Sequence, residues 1–301
     1  MEGVKDMQVH LIVVDPQNDF CVADDGHGNK GTLVVPGGKE DMLRVAAMVE
    51  RLGNKLDDIH VTLDSHRSVG IERPRWFKRV PDGAPPAPFT VLDMHPDGKR
   101  IVKYVMGAKG LEPTDEEYTT YLPSLLHHGG PTEKGTVGYF NALRSGGRYP
   151  HVIWPVHCVI GTWGWSIVPE LSKALIDWEQ KCFARVDYVV KGTNPFTEHF
   201  SGVKAEVPDK ADPSTMINTR LVSTLMEADV IAVTGEALSH CVANTVRDIA
   251  TEFKDAQYVK KLVLLTDASS NVPTFESFGE GFMKEMLAKG MQTATTKDFM
   301  A

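Results

Sequence analysis

The sequence predicts an α/β protein built on a mainly parallel six-stranded sheet with helices on both faces, interrupted by a large insertion. Three observations carry that expectation. Short apolar runs such as Leu11-Ile-Val-Val14 alternate with amphipathic helical patterns toward both ends of the chain, as repeated βα units require. Several of these runs stop at a polar residue followed by a turn, the place where open α/β sheets keep their chemistry. Between about residues 73 and 150 the alternation breaks down, over a span too long for an ordinary connection.

The first strand is His10 to Asp15, a continuous apolar run ending in a carboxylate, which suits a strand buried on both faces. Met42, Leu43, Val45, Ala46, Met48, Val49 and Leu52 then fall on one side of a helix over 38–52. A second strand, Ile59 to Leu63, ends at Asp64, with His66 two residues on. In the insertion, Pro81-Asp-Gly-Ala-Pro-Pro-Ala-Pro88, Gly129-Gly-Pro131 and Gly146-Gly147 mark turns. Within it, Arg100 to Met106 reads as a strand and Glu116 to His127 as a helix. The alternation resumes with a third strand over His151 to Pro155, then a helix from Pro169 to Gln180 and a fourth strand from Val186 to Val190, next to Lys191. A polar loop, 192–212, leads to a helix from Pro213 to Met226, with Asp212 suited to its cap. The fifth strand is Asp229 to Val233; it ends at Gly235, and a helix starts near Ser239. A sixth strand (Lys261 to Thr266), a last helix (Phe275 to Ala288) and an edge strand (Gln292 to Thr296) complete the chain. The organisation expected is one domain over 1–301, with about 73–150 as an inserted subdomain or lid.

The 301 residues are 42% hydrophobic and 24% charged, an ordinary globular balance, and the net charge of −8 argues against nucleic acid or an anionic membrane as the main partner. Cys21, Cys158, Cys182 and Cys241 form no CxxC pair. With no apolar leader and no run able to span a bilayer, this leads us to expect a reduced, cytoplasmic setting.

Asp15, Asp64, His66, His157, Lys191 and Cys241 fall at the ends of the expected strands, along one edge of a parallel sheet. Cys241 follows a strand-to-helix turn, where a helix start lowers a thiol's pKa and supplies N–H groups to an oxyanion. Asp15, Lys191 and Cys241 together make a nucleophile, a proton carrier and a charge partner. Asp64, His66 and His157 are oxygen and nitrogen ligands suited to zinc, iron or manganese, and three of them leave room for water or substrate.

These residues sit in five motifs: Val14-Asp-Pro-Gln-Asn-Asp-Phe-Cys21, Leu63-Asp-Ser-His66, Trp154-Pro-Val-His-Cys-Val-Ile-Gly-Thr162, Lys191-Gly192 and Gly235-Glu-Ala-Leu-Ser-His-Cys-Val242. In this order the chain resembles the isochorismatase-like cysteine hydrolases, a Rossmann-like three-layer fold, and within them the nicotinamidases or pyrazinamidases. The resemblance covers roughly 1–72 and 151–301. It implies Cys241 as nucleophile, Asp15 as general base and acid, and Lys191 as their charge partner. It implies a cis peptide at Glu236–Ala237 that aims the Ala237 and Cys241 N–H groups at the oxyanion. Phe20 and Trp154 become substrate walls, and Asp64, His66 and His157 the ligands of one divalent ion, zinc before iron or manganese.

Two features depart from that family. Where many relatives supply a further histidine, this chain has Glu72, a tentative fourth ligand or a solvated carboxylate. The insertion is far longer than usual, and three roles fit it: capping the pocket, forming a homo-oligomer interface, or altering the substrate. Its His95, His127 and His128 read as surface residues. The function expected is hydrolysis of nicotinamide to nicotinate and ammonia through a thioester, within NAD salvage and pyridine nucleotide biosynthesis. The partner is a small amide, with neither nucleic acid nor membrane involved. A related amidase acting on another small amide or ureido compound is the alternative, and a non-catalytic binding scaffold is the alternative from another class.

Overall fold

A computed structural model describes residues 7–80, 82–108, 110–132 and 134–301; Pro81, at the head of the proline-rich stretch, lies outside the described residues. Eleven strands are described: β1 (Val9–Val14), β2 (Asp58–Asp64), β3 (Phe77–Arg79), β4 (Val91–Met94), β5 (Ile101–Gly107), β6 (Gly110–Thr120), β7 (His151–Val152), β8 (Asp187–Lys191), β9 (Val230–Gly235), β10 (Leu262–Leu265) and β11 (Gln292–Ala294). Six of them form one sheet in the order β11-β10-β9-β1-β2-β8, and every neighbouring pair is parallel. β1 lies at the centre, buried on both faces, as its unbroken apolar run requires.

The helices follow from the connections. Helix α1 (Asn18–Cys21) is a single turn after β1, and α2 (Gly38–Leu52) carries the chain from β1 to β2. Helices α3 (Ser124–His127) and α4 (Gly135–Gly146) belong to the insertion, and α5 (Pro169–Cys182) precedes β8. Next come α6 (Thr219–Glu227), α7 (Ala243–Glu252), α8 (Ala256–Val259) and α9 (Glu276–Ala288). From β1 the sheet grows outward through β2 to β8; from β9 it grows the other way, through β10 to β11. Right-handed crossovers in opposite directions put α2 and α5 on one face and α7 and α9 on the other. The two directions of growth part between β1 and β9, a switch point at which open sheets form a crevice.

The insertion folds as an antiparallel sheet, β3-β6-β5-β4-β7, over a second apolar core that includes Trp76, Phe77, Leu92, Met94, Tyr139, Phe140 and Ile153. Three expectations are corrected here. The segment 116–127 is not one helix: Glu116 to Thr120 finish β6, and only Ser124–His127 turn helically. Tyr118 and Thr120 are both buried, a period of two that pairing with β5 and β3 exploits. The strand at His151 lies in the antiparallel sheet, beside β4, and the sixth place in the parallel sheet goes to β11. The helix expected over 213–226 splits into a 3-10 turn at Pro213–Thr215, capped by Asp212, and α6, capped by Asn218. No helix among the described residues is long and apolar enough to cross a membrane.

Candidate active site

Asp15 follows β1 with a left-handed φ of 46° and is fully buried. Thr62 on β2 holds it: its hydroxyl donates to Asp15 Oδ1 (2.5 Å) and accepts from the Asp15 N–H (3.1 Å). Lys191 ends β8 with its ammonium 2.9 Å from Asp15 Oδ2, 3.0 Å from Asp64 Oδ1 and 3.9 Å from Cys241 Sγ. The His199 carbonyl accepts its third proton, at 3.0 Å. The next residue, Gly192, has a φ of 81°, and a Cβ there would lie 3.0 Å from His66 Cε1 and 3.1 Å from Asp64 Oδ1. Glycine lets β8 pass close against Asp64 and His66.

Cys241 follows β9 through a sharp turn. Gly235 has a φ of 122° and no room for a side chain, since a Cβ would come within 2.1 Å of the Val14 carbonyl oxygen. The Glu236–Ala237 peptide is cis. Leu238–Val242 then make a single wide π turn that runs into α7. That turn changes the expectation for the thiol. The N–H groups of His240, Cys241 and Val242 all donate to the Ala237 carbonyl, at 3.0, 2.9 and 3.2 Å, so the Cys241 donor expected to face an oxyanion is already engaged. Burial pushes the thiol's pKa well up; Lys191 pulls it down, and the Asp15 and Asp64 charges push it up again. At rest the group is a thiol, contrary to the lowered pKa expected from its position. Asp15 is raised as well, by burial and by Asp64, against Lys191 and the Thr62 hydrogen bond. A raised carboxylate beside a thiol is a stronger base toward it.

Asp64, His66 and His157 converge as expected, each with a ligand atom within 4.8 Å of the others, and all three are buried. Asp64 Oδ2 lies 2.8 Å from His66 Nε2 and 3.2 Å from His157 Nε2. Burial works against the Asp64 charge, but His66, Lys191 and these contacts hold its pKa well below the usual carboxylate range. His157 arrives from a loop rather than from a strand of the parallel sheet. A bridge between His66 and Val159 brings it in, with the His66 N–H donating to the Cys158 carbonyl (3.0 Å) and the Ile160 N–H to that of His66 (3.1 Å). Burial, then the Arg73 charge, push the His157 pKa down to about 3, so the ring is neutral. Glu72 lies outside the three-residue donor group. It sits 3.4 Å from His66 Nδ1, behind the ring, and 2.9 Å from Arg73 Nε.

Cys241, Lys191, Asp64 and His157 all line one cavity of about 370 Å³, and Phe20 and Trp154 stand in its wall with Leu33, Phe200 and Val272. Glu198, His199 and His240 also line it and were not expected. Glu198 accepts from Trp154 Nε1 (3.1 Å) and from the His199 N–H (3.0 Å), and burial with the nearby Glu72 charge raises its pKa to about 7. Glu198 and His199 lie in the irregular loop before α6, where no periodicity marks an inward face. Gln17 was missed too, although it lies inside the first motif: it exchanges two 2.7 Å hydrogen bonds with the Asp64 backbone and ties the first motif to the second. His127 and His128 are exposed and His95 half-buried, consistent with a surface reading.

The whole chain superposes on solved hydrolases. The yeast nicotinamidase matches with a TM-score of 0.58 at 20% identity, over 95% of this chain and 99% of that one. An Acinetobacter baumanii nicotinamidase/pyrazinamidase matches at 0.56 and 17%, over 98% and 99%. The Pyrococcus horikoshii pyrazinamidase, solved in complex with zinc, matches at 0.50 and 20%, over 96% and 99%. A scan against protein-family models and a search of curated proteins found no match. The parallel sheet with its switch-point crevice is thus a fold shared with these solved nicotinamidases and pyrazinamidases.

Proposed function

We propose that this chain is a metal-dependent cysteine amidohydrolase that converts nicotinamide to nicotinate and ammonia. The observation that carries the reading is a single cavity onto which the Cys241 thiol, the Lys191 ammonium and two members of the Asp64, His66, His157 group all open, between Phe20 and Trp154. The donor set fits a cation. Glu72 lies 3.4 Å from His66 Nδ1, while His157 Nδ1 has both the Pro155 carbonyl and an Arg73 N–H at 2.8 Å. An acceptor at His66 Nδ1 leaves its Nε2 lone pair turned toward Asp64 Oδ2 at 2.8 Å, an arrangement that a positive ion resolves. Two imidazoles and a carboxylate suit zinc, and iron or manganese after it. When bound there, the ion supplies a Lewis acid for a heteroaromatic nitrogen or water.

The protein's own groups account for the rest. Phe20 and Trp154 take the ring between them, and Lys191 holds Asp15 in place. Asp15 accepts the Cys241 proton as sulfur attacks the carboxamide carbon. The Ala237 N–H, which has no partner in the turn among the described residues, faces the resulting oxyanion, since the Cys241 N–H is bound to the Ala237 carbonyl. Asp15 returns the proton to the amine as the C–N bond breaks, ammonia departs, and a thioester remains on Cys241. Asp15 then activates a water that hydrolyses the thioester and restores the thiol. The partner is a small amide, and the setting would be pyridine nucleotide salvage in a reduced compartment. A second reading rests on Glu198: a carboxyl in the cavity wall also suits another small amide that carries an additional hydrogen-bond donor.

Ammonia release should be measured over a panel of nicotinamide, pyrazinamide and ureido acids. Nicotinamide or pyrazinamide is expected to turn over fastest, and Cys241→Ala to lower the rate by roughly ten-thousand-fold or more. Activity that survives Cys241→Ala would sink the nucleophile assignment. Preference for a ureido acid would favour the second reading.

A further inference from the structure

The opposite, amino-terminal edge of the parallel sheet carries a second cluster of ligand-type side chains, remote from Cys241. His10 stands near the start of β1, Asp58 and His60 at the start of β2, and Asp187 at the start of β8. His10 pairs in register with Asp58, and His60 with Asp187, so the groups share one corner of the sheet. Both histidines are buried, whereas the Asp58 side chain is 47% exposed. We propose that His10, His60 and Asp58 form a second metal site, selective for a divalent transition cation of the zinc type.

The argument is one of protons. His60 Nδ1 lies 3.1 Å from Asp187 Oδ2, and an ionised carboxylate only accepts, so the His60 proton sits on Nδ1. Its Nε2 is therefore a bare lone pair, and it faces His10 Nδ1 at 3.5 Å. The other His10 nitrogen, Nε2, faces Asp58 Oδ2 at 3.6 Å. A neutral His10 has one proton for two acceptors, so in either tautomer a buried lone pair points at another electron donor. A cation among these atoms takes up the unmatched lone pairs.

The distances and chemistry agree with one another. His10, Asp58 and His60 each offer one ligand atom within 4.8 Å of the others. Two imidazoles with a carboxylate is a zinc-type set, and a carboxylate on the far nitrogen of a ligating histidine fixes its tautomer, the part Asp187 plays for His60. Arg220 pairs with Asp187 and holds that carboxylate in place, while its charge works against a nearby cation. A groove of about 950 Å³ lined by Asp58, His60, Asp187 and Arg220 gives an ion a route in from solvent. An ion here ties β1 to β2, the strands whose far ends carry Asp15 and Asp64. Because it binds the folded chain alone, it raises the melting temperature.

The test uses tag-free, full-length protein stripped with a chelator and titrated with zinc, on a His66→Ala background that disables the other donor group. This separates the outcome from the proposed function. About one zinc per chain is expected, with a rise in melting temperature. Adding His60→Ala should abolish both effects. Asp58→Asn, at a half-exposed position that folding tolerates, should weaken binding markedly, and Asp187→Asn should weaken it by about 10–100-fold. No zinc uptake on the His66→Ala background would overturn the site. So would uptake that Asp58→Asn and Asp187→Asn both leave unchanged.

Discussion

Thr62 is a residue that no motif marks, yet it determines how Asp15 presents itself. Its hydroxyl donates to one carboxylate oxygen, and its carbonyl and hydroxyl both accept from the Asp15 N–H. Asp15 is thereby held in a left-handed backbone conformation, with its other oxygen turned to Lys191. Thr62→Val keeps the shape and removes the donor. A hydrogen bond to a charged group is worth about 1.5–3 kcal/mol, so amide turnover should fall by roughly ten- to a hundredfold. Steady-state assays beside an unchanged circular dichroism spectrum would check this; full activity would show that Lys191 alone positions Asp15. Lys191 itself was legible because a lysine directly following an apolar strand stands out. Thr62 was not, because a threonine inside a strand is also an ordinary strand former.

At the scale of elements, the antiparallel sheet and the cavity are continuous. β7 leads directly into Ile153 and Trp154, and the Trp154 N–H donates to the Glu72 carbonyl just before β3. His157 and Arg73 extend the same seam, with Arg73 reaching the Pro155 and His157 carbonyls. Trp76 lies at the heart of the second core, its indole N–H donating to Thr136. Trp76→Ala should cost about 3–5 kcal/mol of stability, as other large-to-small core changes do. Because that core backs β7, cavity substrates should also bind more weakly. Chemical denaturation with KM measurements tests both; an unchanged KM would separate the insertion from the site. This dependence also explains two misread elements. Glu116 to His127 has helix-favouring residues, but tertiary pairing with β3 and β5 overrides local propensity for its first half. The short strand at His151 has the same β-branched look as a parallel strand, and only its neighbour reveals its sheet.

Across the whole molecule, buried ionisable groups shape the response to pH. Burial lowers His151 to about 4 and His199 and His240 to about 3, so each stays proton-free in the fold down to those values. Unfolded histidines take up protons near pH 6.5, so each contributes stability that is present above that pH and lost as pH falls toward 3–4. The slope is at most about 1.4 kcal/mol per pH unit for each. Glu198 and Glu206, both raised to about 7 by burial, act in the other direction. They hold protons in the fold that the unfolded chain releases above its own carboxylate range. Between about pH 4.5 and 7 the two sets partly cancel, and below about 4.5 the histidines act unopposed by these two carboxyls, joined by Asp64 with its lowered pKa. Urea melts from pH 8 to 4 should therefore show a shallow decline and then a steep one. A uniform slope throughout would contradict these assignments.

The sequence alone determined the βα alternation, the central strand buried on both faces, and the polar residues at the strand ends. Local patterns are sufficient for these, because burial on a parallel sheet imposes unbroken apolar runs and strand ends impose turns. It also singled out Asp15, Asp64, His66, His157, Lys191 and Cys241, which the fold gathers into one cluster, with Asp64, His157, Lys191 and Cys241 lining its cavity. Tertiary structure decided what depends on distant partners. It set His157 in a loop bridged to His66, placed Glu72 behind a histidine, and brought Glu198, His199 and His240 into the wall. It also decided the protonation of the nucleophile. A helix start favours a thiolate, but burial outweighs it, and burial is set by the packing of the whole chain.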